Sequence, residues 1–500
     1  MDRLKGILAG RNGNKADRDV NPDEYAPLRN SSDDVGDEDE MADEGEVLET
    51  NETPFSWFEY TIFVFIGVAM LWAWNMFLAA SPYFASRFVD DPWSSRNLQP
   101  AILSVSTITN LGSMLVLTGL QRSADYPNRI KLALIINTVA FALLTVSTKY
   151  FTDISSKAYL AFLLVDVFFA ALATGLFQNG AFAFATSFGR PEYMQAIMAG
   201  QGVAGVLPAL AQMVSVLVMP PPPPPTQGSG NDDGNPAGPP GDADADPIGS
   251  AAFLYFLTAV LVSIFTLLAF LPLVRRHDRL VEARMATSRP DLAAGLMSHP
   301  HSHHDIQEAE QATRKVVSLP VLLRKLHWLA GAIFLCFVAT MFFPVFTSKI
   351  LSTHDGGGGG GGPPRSRLFA PEVFIPLAFF CWNLGDLCGR VATAGSWSAS
   401  ARRRPALLFA AGVARLGFLP LYLLCNIRGR GALVPSDAFY LLLVQFPYGL
   451  TNGWLASNSM MGAGEWVDEQ EREAAGGFMG LCLVAGLAAG SLLSFTAAGI

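Results

Sequence analysis

What most constrains this chain is the recurrence of long apolar runs, at 57–86, 100–121, 131–150, 158–187, 194–219, 250–274, 328–351, 370–394, 405–425, 437–460 and 474–497. The hydrocarbon core of a bilayer is about 30 Å thick, and about 20 helical residues cross it. Lipid offers no partner to an unpaired backbone N–H or C=O, so helices are the economical spanning structure. The runs therefore predict an all-α polytopic membrane protein with eleven transmembrane helices. Composition agrees, since only 15% of the 500 residues are charged, against about 25% in soluble domains.

The charges that exist are unevenly placed. Residues 1–54 hold a run of acids (Asp33, Asp34, Asp37, Glu38, Asp39, Glu40) and are expected to form a disordered tail. That tail largely sets the net charge of −9, which says little about the embedded body. Within it, Tyr25-Ala-Pro-Leu28 fits a tyrosine-based sorting signal read by an adaptor, or a chance match. The first apolar run begins near Phe58 behind a polar N-terminus, so no cleavable signal peptide is expected. The five cysteines (Cys336, Cys381, Cys388, Cys425, Cys482) lie in apolar runs without metal-ligand spacing and read as small core residues.

Loop charge gives an orientation. With the N-terminus in the cytosol, the even-numbered loops are cytosolic too, and they carry Arg122 and Arg129, then Arg190, then Arg275, Arg276, Arg279, Arg284 and Arg289, then Arg402, Arg403 and Arg404. The fifth loop, 220–249, has no Lys or Arg and falls on the other side. The tenth loop is acidic (Glu465, Asp468, Glu469), but acids weigh little in this rule. An odd number of spans puts Ile500 on the non-cytosolic side, and Asn30 and Asn51 should carry no sugar. The prolines 220–225 read as an extended linker and the glycines 356–362 as a loop tip, not a phosphate-binding loop. His299, His301, His303 and His304 read as low-complexity drift rather than a metal site.

Polar groups inside spans carry the functional signal, because a charge near the bilayer centre costs about 2.5–3.5 kcal/mol on insertion scales. In the eighth run Phe379, Asn383, Asp386 and Arg390 recur at three- and four-residue spacing and so share one helix face. A ring, an amide, a carboxylate and a guanidinium in a row suit a ligand with a flat ring and hydrogen-bonding groups. The same pair also reads as a self-compensating helix lock, and Arg390 as the mark of a helix end. The first run presents Asn75 between Leu71 and Leu78, with Trp74 beside it, and the fourth presents Gln178 and Asn179. Glycines at 200, 202 and 205, at 476 and 480, and at 486 and 490 read as close-packing faces without a ligand.

Five motifs occur in order: Trp74-Asn75-Met-Phe, Met198-Ala-Gly-Gln201-Gly202-Val-Ala-Gly205, Asp386-Leu-Cys-Gly389-Arg390, Ala414-Arg415-Leu-Gly-Phe-Leu-Pro420 continuing to Asn426, and Leu450-Thr-Asn452-Gly453-Trp-Leu-Ala-Ser457. In this order they resemble the equilibrative nucleoside transporters, and among them the fungal branch. The resemblance implies a major-facilitator-like arrangement of six helices plus five, rocking between two access states around a central site. It implies a six-helix half over 55–274 and a five-helix half over 328–500 joined by a cytosolic basic linker over 275–327; the acidic tail over 1–54 has no family counterpart. It assigns Leu71, Trp74, Asn75, Leu78 and Gln178 to the cavity from the first half, and Phe379, Asn383, Asp386 and Arg390 from the second, the last two on the sugar. Gln178 aligns only with a one-residue shift, which leaves Asn179 as a rival. Leu78 stands where well-known members have methionine, so inhibitor sensitivity does not carry over.

The expected function is transmembrane transport of nucleosides, or of nucleobases, by a monomeric carrier that is facilitative or proton-linked. The alternatives are a carrier of this fold for another polar or cationic solute, and a membrane receptor. No nucleophile–base pair, metal motif or nucleotide fingerprint supports an enzyme, and no cofactor, metal or nucleic-acid partner is expected. The expected location is a vacuolar, endosomal or plasma membrane.

Overall fold

The computed structural model describes residues 55–121, 124–151, 154–218, 247–288, 316–354 and 367–497. The acidic tail, Tyr25-Ala-Pro-Leu28, the proline and glycine runs and the histidines of the sixth loop lie outside the described residues. The long helices are α1 (Trp57–Ala79), α2 (Pro92–Gly119), α3 (Tyr126–Tyr150), α4 (Ser156–Ser187), α5 (Pro191–Val218) and α6 (Pro247–Ser288). After the sixth loop come α7 (Leu319–Thr340), α8 (Pro371–Ala392), α9 (Pro405–Ala414), α10 (Phe446–Ala463) and α11 (Arg472–Ser494). Among the described residues, nine helical spans are long and apolar enough to cross a membrane. The spans built on α8 and α10 are not among them. Both carry the polar side chains that matter below, and polarity rather than length disqualifies them.

Helix ends follow their local chemistry. Asp91 caps α2 by accepting from the backbone N–H groups of Trp93 (3.1 Å) and Ser94 (3.3 Å), and Asp125 caps α3 through Asn128 N–H at 2.9 Å. A proline follows each cap, where its missing N–H costs nothing. The helix thus begins at Pro92, ahead of the apolar run that starts at residue 100. The first run is not one helix: α1 stops at Ala79 and a short helix, Ser81–Arg87, restarts at Pro82. The ninth run is also interrupted, by a 3₁₀ turn at Arg415–Gly417 before Phe418–Tyr422. A π-helical turn, Phe439–Gln445, leads into α10 ahead of Pro447, which donates no backbone hydrogen bond to the turn before it. The first part of the expected basic linker is helix, since α6 runs through Arg275, Arg276 and Arg279 to Ser288. Cys388 is exposed, unlike the buried Cys336 and Cys425, because it sits on the face of α8 away from Asp386.

Packing divides the bundle. In the first half α1 packs on α5 and α6, α3 on α4 and α6, and α2 on α4; in the second, α7 packs on α9, α10 and α11, and α8 on α10. The halves meet where α5 faces α8 and where α2 and α4 face α11. One apolar core spans both halves, joining residues such as Phe63, Met114, Phe182 and Met198 to Leu329, Met460 and Phe478. Two further cores stay within a half: one around Phe84, Phe141 and Phe256, the other around Phe343, Tyr422 and Tyr440. The shared core lies at the end of the bundle where α5, α7 and α11 begin; toward the other end each half packs on itself.

Candidate substrate site

The site sits where the shared core gives way to the separate ones. Helical spacing puts Phe379, Asn383, Asp386 and Arg390 on one face of α8, and that face meets α5. Asp386 and Arg390 form a buried ion pair, with Nε 2.7 Å from Oδ2, and are 5% and 4% exposed. The guanidinium also crosses to the first half, donating to Met198 O at 2.9 Å and Gln201 Oε1 at 3.1 Å. Gln195 returns the contact, donating from Nε2 to Arg390 O at 3.3 Å. Arg390 is therefore both the partner of the carboxylate and a bridge between the halves.

Close approach of backbones makes this possible. A Cβ on Gly202 would lie 3.0 Å from Leu387 and Arg390 side-chain atoms, and one on Gly205 would lie 2.6 Å from Asn383 Oδ1. Ala204, next to Gly205, accepts from Asn75 Nδ2 at 2.7 Å. The segment 198–205 of α5 is thus the hub on which Asn75, Asn383 and Arg390 converge, with Asp386 joined to it through Arg390.

Other expected members are placed differently. Leu71 is partly buried, and Leu78 is 45% exposed toward the end where the halves separate. Trp74 stacks on Phe77 at 5.8 Å and packs against the core of the first half. Phe379 meets Phe343 edge-on at 5.0 Å, and its carbonyl accepts from Asn383 Nδ2 at 2.9 Å. Gln178 is buried and its Oε1 accepts no hydrogen bond among the described residues. Its rival Asn179 is committed: Oδ1 accepts from Arg129, and Nδ2 donates to Thr118 Oγ1 at 3.3 Å. Gln178 thus keeps a buried acceptor without a partner among the described residues, and Asn179 does not.

Three polar residues received no role from the sequence. Asn452 of α10 donates from Nδ2 to Asp386 Oδ1 at 2.7 Å, and Arg415 reaches Asn452 Oδ1 at 3.1 Å. Gln201 accepts from Arg390 and donates toward Met70 Sδ. A charge or amide in mid-span was the available signal for all three. Asp166 of α4 is a fourth such group, 5% exposed with Oδ2 unpartnered among the described residues.

The family model described as "Nucleoside transporter" matches residues 164–228 and 242–498. Among characterised proteins, the Saccharomyces cerevisiae nucleoside transporter FUN26 is 29% identical over 468 residues, covering 87% of this chain and 83% of its own. Human equilibrative nucleoside transporter 1 is 25% identical over 480 residues, covering 87% and 96%. Among solved structures, the major facilitator superfamily proton:xylose symporter XylE superimposes with a TM-score of 0.55 at 11% identity, covering 88% of this chain and 86% of that one. That likeness shows the fold: a multi-pass integral membrane protein of the major-facilitator type. With the family model matched over more than half its length, this chain belongs to the nucleoside transporter family.

Proposed function

We propose that the protein carries nucleosides across its membrane by alternating access, with Asp386 and Arg390 receiving the sugar and Leu71, Leu78 and Gln178 lining the place of the base. The observation that carries this reading is the buried Asp386–Arg390 pair at the junction between shared and separate cores. Charged side chains within membrane spans are costly, about 2.5–3.5 kcal/mol each on insertion scales, and those that occur mark solute pathways. Rocking the halves would expose the pair to one side and then the other. The conformation with a shared core at the end rich in arginine corresponds to a carrier closed toward that end.

We infer the remaining assignments from the same sequence features. The Arg-rich end is the cytosolic one, with the N-terminus on that side and the C-terminus opposite. The division into a tail, a half over 55–274, a linker over 275–327 and a half over 328–500 fits this scheme, with helix extending into both ends of the linker. The carrier works as a monomer in a vacuolar, endosomal or plasma membrane, with an adaptor at Tyr25-Ala-Pro-Leu28 for sorting. Asp386→Ala in purified full-length protein in vesicles tests the site: uptake should fall at least tenfold while the protein remains folded, and unchanged uptake would remove Asp386 from the site. Uptake that follows an imposed pH gradient assigns proton coupling; uptake indifferent to it assigns passive facilitation.

A further inference from the structure

We propose that Asn452 and Arg415 are positioning residues that hold the Asp386 carboxylate ready for two adjacent hydroxyls of the solute. The proposal rests on the reading of Asp386 as a sugar contact. Asn452 is 1% exposed and Arg415 2%. The orientation of the Asn452 amide is dictated by Arg415, whose Nη2 can only donate and lies 3.1 Å from Oδ1; Thr340 Oγ1, at 2.6 Å, shares its one proton between Oδ1 and Cys336 O. With the guanidinium on the Oδ1 side, the amide's N–H groups face the other way, and one reaches Asp386 Oδ1 at 2.7 Å.

Arg415 anchors this arrangement. Its guanidinium donates to Tyr448 O at 2.9 Å and Thr451 Oγ1 at 2.7 Å and lies 4.7 Å over the Tyr448 ring. These partners are neutral, and from Arg415 hydrogen bonds lead through a single amide to Asp386. The sequence of bonds Arg415, Asn452, Asp386, Arg390 runs from the 3₁₀ turn after α9 through α10 and α8 and ends on α5. Asp386 thus receives one donor on each oxygen, Asn452 on Oδ1 and Arg390 on Oδ2. A carboxylate has about four acceptor sites, so one remains on each oxygen. Two acceptors a carboxylate's width apart suit two hydroxyls on neighbouring carbons, and a sugar lacking one leaves a buried acceptor unpaired.

Asn452→Asp tests this in purified full-length protein in vesicles. The substitution keeps the volume and the acceptor facing Arg415, but it replaces the donor aimed at Asp386 with another oxygen. The expected result is a KM for uridine raised about tenfold, a KM for 2′-deoxyuridine changed less than twofold, and a lost preference between them. A purely structural role would lower the maximal rate for both solutes and leave their KM ratio intact, which overturns the proposal. Should Asn452→Asp fail to fold, Thr340→Val loosens the amide more gently and should shrink the preference severalfold, with Thr340→Ser restoring it; an unchanged ratio in Thr340→Val overturns the proposal. If the wild type itself takes up both solutes with equal KM, the sugar reading of Asp386 fails, and the positioning role falls with it. If the wild type discriminates and the variants do too, only the positioning role fails.

Discussion

Gln178 holds a side-chain oxygen in the protein interior without a partner, a state that costs about 1–3 kcal/mol when water is excluded. Gln178→Leu should therefore leave thermal stability in detergent unchanged or raise it by about 1 kcal/mol, while nucleoside uptake falls severalfold; lower stability would mean that the amide serves packing. Asp437 presents the opposite case, in the segment just before the π-helical turn. Burial pushes its carboxyl upward, but donation from Ser352, Thr353 and His354 outweighs this and holds it below the ordinary 3.8. A depressed carboxyl contributes stability that is complete above the unfolded value and fades as pH falls through the folded one. Asp437→Asn should then lower the unfolding temperature at neutral pH, with the gap closing only as pH falls below 3.8. The contact between Asp386 and Arg390 was legible as a spacing of four along one helix. The contacts of Asp386 with Asn452, and of Asn452 with Arg415, join different helices, and no spacing along the chain encodes them.

Hydropathy located the helices by their runs, yet it ranked α8 and α10 lowest because they hold the polar groups of the site. The breaks in the first and ninth runs were also hidden, since Pro82 and the 3₁₀ turn at Arg415 interrupt the helix without interrupting apolar character. Two glycines, one on each helix, explain how α8 and α10 approach. A Cβ on Gly453 would stand 1.9 Å from Asp386 O, and one on Gly389 2.0 Å from Leu450 O. Gly453→Ala gains about 1 kcal/mol of helix propensity but forces the helices apart, for which overpacking costs of about 1–3 kcal/mol are usual. The net expectation is a lower unfolding temperature with loss of uptake. Gly112→Ala on α2, with nothing within 4 Å of the added carbon, should raise the unfolding temperature instead. If both substitutions shift it in the same direction, the close approach of α8 and α10 is not what the glycines serve.

At the scale of the whole molecule, the apolar runs could count the helices but not group them, because lipid-facing and partner-facing residues are equally apolar. The grouping came from the ordered family motifs, and the arrangement of three cores adds which end is closed. Gln121 locks that end further, donating to Val317 O at 2.8 Å and accepting from Val317 N–H at 2.9 Å, which ties the exit of α2 to the entry of α7. With the native cysteines replaced, Leu78→Cys should react with a membrane-impermeant thiol reagent supplied opposite the Arg-rich end. Met198→Cys, fully buried in the shared core, should be protected in the same conditions. Equal labelling of the two would contradict closure at that end. The central claim is that a buried carboxylate on α8 reads the sugar of a nucleoside in transit. It is tested most directly by uptake of uridine and 2′-deoxyuridine into vesicles containing the purified full-length protein, with Asp386→Asn alongside. The account predicts saturable uptake favouring uridine by about tenfold or more and a preference abolished in Asp386→Asn; equal uptake of both solutes by the wild type would contradict it.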